Sequence, residues 1–237
     1  FLQGEEASFI VMVDGNHVLP MATSQDHKRL LDDDKGPNTG GMGAYSPAPV
    51  VTPDVYERAM NEIILPTVAG MKAEGHEFTG FLYAGLMIDK TGAPYTIEFN
   101  CRFGDPETQP IMSRLDSDLV DLVEAAIDSK LDSVSAEWNP QTAVGVVLAA
   151  QNYPDSPKKG DVIFGLDKAN QTGKVFHAGT ATNEKGEVVT NGGRVLCVVG
   201  LGDDVAQAKS KAYEALETIH FDGMQYRKDI ADKAINR

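Results

Sequence analysis

The chain has 237 residues, 42% hydrophobic and 24% charged, which is ordinary for a soluble globular protein and long enough for one large domain or two modest ones. Its formal net charge of −14 argues against nucleic acid or an anionic membrane as a partner, and no apolar run is long enough to span a bilayer. The two cysteines, Cys101 and Cys197, favour reduced thiols in a cytoplasmic protein over a disulfide framework.

The chain opens with strand-like sequence. Alternating residues predict strands over 7–13 and 17–22 joined by a turn at 14–16, so we expect a hairpin. The first residue is phenylalanine rather than methionine, and we expect the natural protein to begin upstream. An acidic pair ending in Glu6 precedes the first strand. Such a pair is typically solvated, although a carboxylate there could also accept hydrogen bonds from a ribose hydroxyl pair.

Residues 24–49 show neither helical nor strand periodicity, and a loop of this length is usually functional or disordered. Its glycines permit close approach of the backbone, and successive N–H groups can form an anion-binding nest. No Gly-Lys-Ser/Thr follows them, so this is not a Walker A loop. The mixture of Asp, Lys, Asn and Thr favours a small polar ligand over a bare phosphate, and a flexible surface loop fits the pattern about equally well.

A helix and two strands follow this stretch. Thr52-Pro53 has the pattern of a capping residue before the first helical position, and apolar spacing predicts a helix to about Ala73 with a kink at Pro66. Residues 80–88 predict a buried strand. A turn at 89–92 returns the chain into the next strand, so we expect the two strands to pair antiparallel.

The run from Ala93 to Pro110 carries the clearest chemical pattern. Its period of two places Glu98 and Asn100 on one face, where a carboxylate and a carboxamide form an oxygen-only pair suited to Mg²⁺. Mg²⁺ usually completes its shell with phosphate oxygens. Arg102 follows at the same period, and its guanidinium can reach those phosphates. A glycine, an aspartate and a proline then turn the chain. The alternating residues are Tyr95, Ile97 and Phe99 against Thr96, Glu98 and Asn100.

The remainder of the chain predicts one more helix and then a smaller β-rich unit. An amphipathic helix is expected over 116–129. Gly192-Gly193-Arg194 is typical of a tight hairpin turn, and Gly200-x-Gly202 lacks the third glycine of a dinucleotide fingerprint. The inward residues of the 116–129 helix are expected to be Leu119, Leu122, Val123, Ala126 and Ile127. Strands are expected at 144–150, 161–165, 174–180, 187–190 and 194–199, and a helix at 205–219.

Two motifs in the chain resemble the signatures of one enzyme family. They are the run Arg102-Phe103-Gly104-Asp105-Pro106-Glu107-Thr108-Gln109 and the loop from Asp34 to Pro47, and both resemble the phosphoribosylamine–glycine ligases of the ATP-grasp superfamily. The segments 2–8 and 226–230 are similar to the same family, so the resemblance covers essentially the whole chain. It implies an α+β fold, with an ATP-grasp catalytic core of antiparallel sheet and flanking helices and a smaller β-rich C-terminal domain. The implied domains are the end of the lid subdomain (1–22), the catalytic core (23–141) and the C-terminal domain (142–237).

The resemblance also implies a function. Members of the family use ATP to join glycine to 5-phosphoribosylamine in de novo purine synthesis, through a glycyl phosphate. By this resemblance, Glu98 and Asn100 would hold Mg²⁺ or Mn²⁺. Arg102 would contact ATP and clamp the transferred phosphate, and Glu6 would hold the ATP ribose. The implied substrate-binding residues are Asp34, Lys35, Asn38, Thr39, Gly40, Gly41, Asp105 and Glu107.

The same resemblance implies parts that precede this sequence, namely an N-terminal domain and the first part of the ATP lid. We therefore expect the isolated chain to bind ATP poorly and to turn over little. Two alternatives stay open: another ATP-grasp carboxylate–amine ligase of purine metabolism, and a non-catalytic module that kept the fold. The intact set of Glu98, Asn100 and Arg102 argues against a decayed site. The sequence leaves the oligomeric state open.

Overall fold

The computed structural model describes residues 2–237. In chain order its strands are β1 (Glu5–Asp14), β2 (Val18–Pro20), β3 (Gln25–Asp26), β4 (Arg29–Leu31), β5 (Lys35–Asn38), β6 (Gly43–Ser46), β7 (Thr79–Ile88), β8 (Pro94–Asn100), β9 (Thr142–Ala149), β10 (Lys174–His177), β11 (Thr180–Thr182), β12 (Val188–Thr190) and β13 (Arg194–Gly202). Its α-helices are α1 (Pro53–Arg58), α2 (Leu65–Ala73), α3 (Thr108–Met112), α4 (Leu119–Ile127), α5 (Leu166–Thr172), α6 (Val205–Leu216) and α7 (Asp232–Ile235).

The chain divides into two compact units. The first contains residues 2–25, 46–104 and 114–140, and the second contains residues 26–45, 105–113 and 141–237. Each unit joins helices to antiparallel strands, which confirms the predicted α+β class. The domain boundaries expected after residues 22 and 141 stay a prediction.

The first unit is built on a four-stranded antiparallel sheet in the order β2-β1-β7-β8. The predicted N-terminal hairpin is confirmed by the β1–β2 pairing, and the predicted antiparallel neighbours by the β7–β8 pairing. Alternate residues of β1 and β7 point into an apolar core that also takes in α1 and the segment after it, including Val55, Ile63 and Ile64. Because successive strand residues point to opposite faces, Glu6 and Ser8 lie on the other face of this sheet, beside the buried Ile10 and Met12.

The helix predicted from Thr52 to Ala73 forms, with an irregular middle. Thr52 caps it, since its Oγ1 accepts a hydrogen bond from the Val55 N–H at 3.4 Å, and Pro53 occupies the first turn. A π-helical segment, Ala59–Ile64, lies between α1 and α2, and Pro66 falls in the first turn of α2. Proline lacks an N–H and crowds the preceding turn, so this wide segment is where the helix accommodates it. The irregularity therefore begins earlier than the predicted kink at Pro66.

The amphipathic helix predicted over 116–129 is shorter, and one of its predicted inward residues is wrong. Helix α4 begins after Asp118, whose Oδ1 accepts from the Val120 N–H at 2.8 Å. Leu122 is buried, whereas Ile127 is 70% exposed. Each helical residue advances about 100°, so Ile127 lies about 140° round the helix from Leu122 and faces solvent.

The second unit is built on a five-stranded sheet in the order β10-β13-β9-β6-β3, with α6 packed against it. Strand β9 is buried along its whole length and pairs antiparallel with β13. A Cβ at Gly200 would lie 2.4 Å from both the carbonyl of Ala208 and the nitrogen of Ala212. Gly200 and Gly202 therefore allow α6 to approach β13 closely, which accounts for this glycine pair without a nucleotide.

Three stretches differ from the predicted strand pattern. Residues 24–49 contain β3, β4, β5 and β6, whose length of two to four residues is too short to produce a visible period. Residues 161–165 form only isolated bridges, at Val162 and Phe164, and α5 follows them unpredicted. The strand predicted at 174–180 is divided between β10 and β11.

No helix among residues 2–237 is both long and apolar enough to cross a membrane.

Candidate functional site

One face of the first unit's sheet carries the predicted nucleotide and metal residues. Residues directly opposite in an antiparallel pair point to the same face. Gly85 lies opposite Ser8 on one side and Glu98 on the other, and Tyr83 lies opposite Asn100. Glu6 lies opposite Met87, two residues from Gly85, so Glu6 shares this face. The sheet thus brings Glu6, Glu98 and Asn100 to one surface, as the sequence predicts for the last two.

A β-bulge changes the predicted alternation along β8. The register shifts between Gly85 and Leu86, so that Glu98 lies opposite Gly85 but Thr96 lies opposite Leu86, with Ile97 as the extra residue. An extra residue reverses the facing of everything before it. The prediction that Thr96 shares a face with Glu98 is therefore wrong.

The three residues of the Glu-x-Asn-x-Arg pattern lie in hydrogen-bond contact. Asn100 Nδ2 donates to Glu98 Oε1 at 3.1 Å, and Arg102 Nη2 donates to Asn100 Oδ1 at 3.4 Å. Arg102 Nη1 donates to the carbonyl of Phe103 at 2.9 Å, which directs the guanidinium along the strand end. All three side chains are accessible, so a ligand can reach them.

The donor set of this cluster fits a divalent cation that is shared with phosphate. Mg²⁺ usually takes one or two protein carboxylate or amide oxygens and completes its shell with phosphate and water. Glu98 and Asn100 supply such a pair. Among residues 2–237 no group of three or more His, Cys, Asp or Glu side chains could hold a metal by itself. The cluster therefore suits a cation that arrives with a phosphorylated ligand.

Gly85 leaves the room that Glu98 occupies. A Cβ at position 85 would lie 3.3 Å from Glu98 Cγ and 3.4 Å from the Tyr83 ring. On the same face, the Ser8 and Tyr83 hydroxyls are 2.9 Å apart and buried. The glycine at position 85 is thus explained by close packing of the Glu98 side chain.

In the second unit, the predicted glycine loop is held by side chains distant in sequence. The Thr39 Oγ1 donates to the Lys28 carbonyl at 2.8 Å and accepts from the Gly41 N–H at 3.0 Å. The Gly40 N–H donates to the Tyr153 hydroxyl at 2.9 Å. The loop is therefore an ordered structure, and the alternative of a flexible surface loop is not favoured.

Arg194 is a residue of this region that the sequence did not identify. Its Nη1 donates to the Gly40 carbonyl at 2.7 Å and to the Asp105 carbonyl at 2.9 Å, and its Nη2 donates to Asp105 Oδ2 at 3.0 Å. The sequence favoured a hairpin turn at Gly192-Gly193, but β12 and β13 on either side of it are not paired. Arg194 thus joins Gly40 to Asp105, two of the predicted substrate-binding residues.

Asp34, another predicted substrate-binding residue, is engaged in ion pairs within the second unit. Its carboxylate accepts from Arg227 Nη1 at 2.9 Å and pairs with Lys233, while Asp229 pairs with the same guanidinium at 2.6 Å. The Arg227 side chain is fully buried. Burial raises the pKa of Asp34, but hydrogen bonds from Lys233 and Arg227 outweigh it and lower that pKa overall. This carboxylate therefore stabilises the fold, and its role toward a substrate stays a prediction.

The remaining predicted substrate residues differ in exposure. Lys35 is exposed and pairs with Asp33 at 3.1 Å, and Asn38 is exposed. The Asp105 side chain is 58% exposed, whereas Glu107 is buried. Asp105 and Gly40 can thus be reached from solvent, Thr39 is half-buried, and Gly41 and Glu107 lie within the protein.

Comparison with known proteins defines the class of the chain. A family model described as phosphoribosylglycinamide synthetase, ATP-grasp (A) domain, matches residues 1–108, and one described as phosphoribosylglycinamide synthetase, C domain, matches residues 143–233. The phosphoribosylamine–glycine ligase of Neisseria meningitidis serogroup B is 89% identical over 237 residues, and that of Vibrio vulnificus is 64% identical over 238. The crystal structure of phosphoribosylamine–glycine ligase from Thermotoga maritima shares 41% identity with a TM-score of 0.88 over 98% of this chain.

The fold and the first match place this chain in the ATP-grasp class. More specifically, the chain belongs to the phosphoribosylamine–glycine ligase family, also called phosphoribosylglycinamide synthetase, as the two motifs predict. It spans 56% of the Neisseria relative, 55% of the Vibrio relative and 56% of the Thermotoga chain, so it corresponds to about half of each.

Proposed function

We propose that the complete gene product carrying this sequence is a phosphoribosylamine–glycine ligase. It joins glycine to 5-phosphoribosylamine and converts ATP to ADP and phosphate, giving glycinamide ribonucleotide in the cytoplasm. The observation that carries the proposal is the cluster of Glu98, Asn100 and Arg102 on the sheet face that also holds Glu6. The names of relatives up to 89% identical support the choice of substrates.

The first step is transfer of the γ-phosphoryl group of ATP to the glycine carboxylate, giving glycyl phosphate and ADP. Glu6 would accept hydrogen bonds from the ribose, and Arg102 would hold the oxygens of the transferred group by charge-assisted hydrogen bonds. Glu98 and Asn100 would hold Mg²⁺ or Mn²⁺, which supplies positive charge to the phosphate oxygens when bound. No side chain needs to form a covalent bond, because positioning and electrostatics carry such transfers.

In the second step, the amine of phosphoribosylamine attacks the carbonyl carbon of glycyl phosphate. A C–N bond forms, the C–O bond to phosphate breaks, and the amine loses a proton as phosphate leaves. The loop residues Thr39, Gly40 and Gly41 and the accessible carboxylate of Asp105 would line this site. Lys35 and Asn38 are exposed near the start of the loop and would contribute polar contacts, and we propose the same broad role for Asp34 and Glu107.

We also propose the domain division implied by the resemblance. Residues 1–22 would form the end of a lid subdomain, residues 23–141 the catalytic core, and residues 142–237 the C-terminal domain. Limited proteolysis of the complete gene product, followed by mass spectrometry, would test this division. Cleavage that falls in 20–25 and 138–143 supports it, and fragments that end elsewhere contradict it.

The decisive test is ADP release by the complete gene product, with each substrate omitted in turn. Glycine and phosphoribosylamine are supplied together with ATP and Mg²⁺, and ADP is measured by a coupled assay. We expect release that requires both substrates and yields glycinamide ribonucleotide on mass spectrometry. Release that requires a different carboxylate would keep the ATP-grasp chemistry and reject the substrate. No release with any of them would reject the proposed activity.

A further inference from the structure

The peptide unit around Gly40 is fixed at both its polar groups by two side chains of the second unit. The Tyr153 hydroxyl accepts from the Gly40 N–H at 2.9 Å, and Arg194 Nη1 donates to the Gly40 carbonyl at 2.7 Å. These partners lie 113 and 154 positions away in sequence. A loop residue whose donor and acceptor are both bound to side chains loses most of its freedom before any ligand arrives.

Arg194 is itself firmly anchored. It begins β13, where it pairs with Ala149, and its carbonyl accepts from the Gly179 N–H at 2.9 Å. Its guanidinium then makes hydrogen bonds to both the carbonyl and the carboxylate of Asp105. Because the planar guanidinium has a fixed geometry, these bonds set the distance between the Gly40 carbonyl and the Asp105 carboxylate.

Three glycines provide the space that this arrangement needs. A Cβ at Gly40 would lie 3.0 Å from Arg194 Cζ, and one at Gly193 would lie 2.5 Å from the Tyr153 ring. Gly41 has a φ of +115°, and a Cβ there would lie 2.4 Å from Pro106 Cδ. Gly40 and Gly193 are therefore explained by close packing around the arginine and the tyrosine, and Gly41 by its positive φ and its contact with Pro106.

We propose that Arg194, assisted by Tyr153, is a positioning residue for the amine-bearing substrates, and this inference rests on the proposed function. Arg194 holds the Gly40 loop and the Asp105 carboxylate in the relative position needed to bind glycine or phosphoribosylamine. Both substrates carry an amino group, for which an accessible carboxylate such as Asp105 is the complementary partner. ATP binding depends on the sheet face of the first unit, so Arg194 acts on the amine substrates and leaves ATP affinity unchanged.

The test is a KM comparison for three substrates in the complete gene product. Arg194→Ala is expected to raise the KM for glycine, for phosphoribosylamine, or for both by about ten- to hundredfold, the scale of one lost charge-assisted anchor. The KM for ATP should stay within about twofold of the unchanged protein. Tyr153→Phe, which removes one hydrogen bond, and Gly40→Ala, which displaces the guanidinium, should give the same pattern with smaller increases. Arg58→Ala is the matched control, because this exposed arginine pairs only with Glu62 on the helix surface among the contacts described.

The possible outcomes are distinguishable. Selective KM increases for the amine substrates, with an unchanged thermal unfolding temperature, support the proposal. Unchanged KM values in Arg194→Ala, or an equal rise for all three substrates, overturn it, since the second pattern indicates a general structural role. If Arg194→Ala does not fold, unchanged amine-substrate KM values in both Tyr153→Phe and Gly40→Ala overturn it instead. Failure of the proposed function is seen separately, as absence of glycine-dependent ADP release in the unsubstituted protein.

Discussion

Glu98→Gln tests the proposed metal site, because it removes a charge with almost no change of shape. Glu98 is exposed, and its Oε1 accepts from Asn100 Nδ2 at 3.1 Å. Glutamine keeps an oxygen that can accept this hydrogen bond and fits the space above Gly85 equally well. We therefore expect the free energy of unfolding to change by less than about 0.5 kcal/mol, as for an ordinary surface substitution.

The effect on catalysis should be far larger. Glu98 supplies the negative charge of the two-oxygen set, and its loss weakens the hold on a cation that offsets charge during phosphoryl transfer. Removing one preorganised electrostatic group from an active site lowers kcat about 10²- to 10³-fold, or about 3–4 kcal/mol. We expect Glu98→Gln to lower the rate of ADP formation by this factor, even at saturating Mg²⁺.

The assay measures ADP release against Mg²⁺ concentration for the complete gene product, with Mn²⁺ binding followed by electron paramagnetic resonance as an independent readout. Glu62→Gln is the matched control, because it neutralises an exposed glutamate of the same unit that pairs with Arg58. Near-normal turnover of Glu98→Gln at saturating Mg²⁺, together with unchanged Mn²⁺ binding, would refute the assignment of Glu98 as a metal ligand.

Three further substitutions test the packing and the charges. Gly85→Ala should weaken Mn²⁺ binding severalfold, because the added methyl lies 3.3 Å from Glu98 Cγ, and unchanged binding would contradict this steric argument. Arg227→Met should lower the free energy of unfolding by about 3 kcal/mol in urea titrations, since it leaves two carboxylates without the buried guanidinium they share, and a loss below about 1 kcal/mol would contradict it. Burial lowers the pKa of His27 from 6.5 to about 4, with Arg227 and Lys233 adding to the effect and Asp229 and Asp34 opposing it. Between these pH values the unfolded chain therefore binds a proton at His27 that the folded chain does not. The free energy of unfolding should fall by up to about 3 kcal/mol as pH drops from 6.5 to 4. His27→Gln should reduce this dependence of the free energy of unfolding on pH.

Patterns that depend on neighbouring residues could be predicted from the sequence. The β7–β8 pair, the Thr52 cap and the common face of Glu98 and Asn100 each follow from residues within about ten positions. The bulge at Ile97 could not be predicted, because nothing in an alternating run marks an extra residue. The bulge leaves Glu98 and Asn100 on a common face only because both residues follow Ile97 in the strand.

Contacts between distant segments account for what the sequence did not reveal. Asp34 and Arg227 are 193 positions apart, and Gly40 and Arg194 are 154 apart. An aspartate beside a glycine-rich loop is compatible with a ligand contact or with an internal ion pair, and only the position of the arginine distinguishes them. The role of Arg194 could not be predicted either, because an arginine at the start of a strand gives no local sign of its partners.

The glycines of the two candidate regions serve close packing, and this bears on how the proposed enzyme would bind its substrates. Gly85 admits the Glu98 side chain, and Gly40 admits the Arg194 guanidinium, each at little more than 3 Å. A loop held in this way has already lost its conformational entropy in the folded protein, so binding a substrate does not incur that cost again. Substitutions that loosen the loop should therefore act mainly on the KM for the amine substrates, whereas loss of the Glu98 charge should act mainly on kcat.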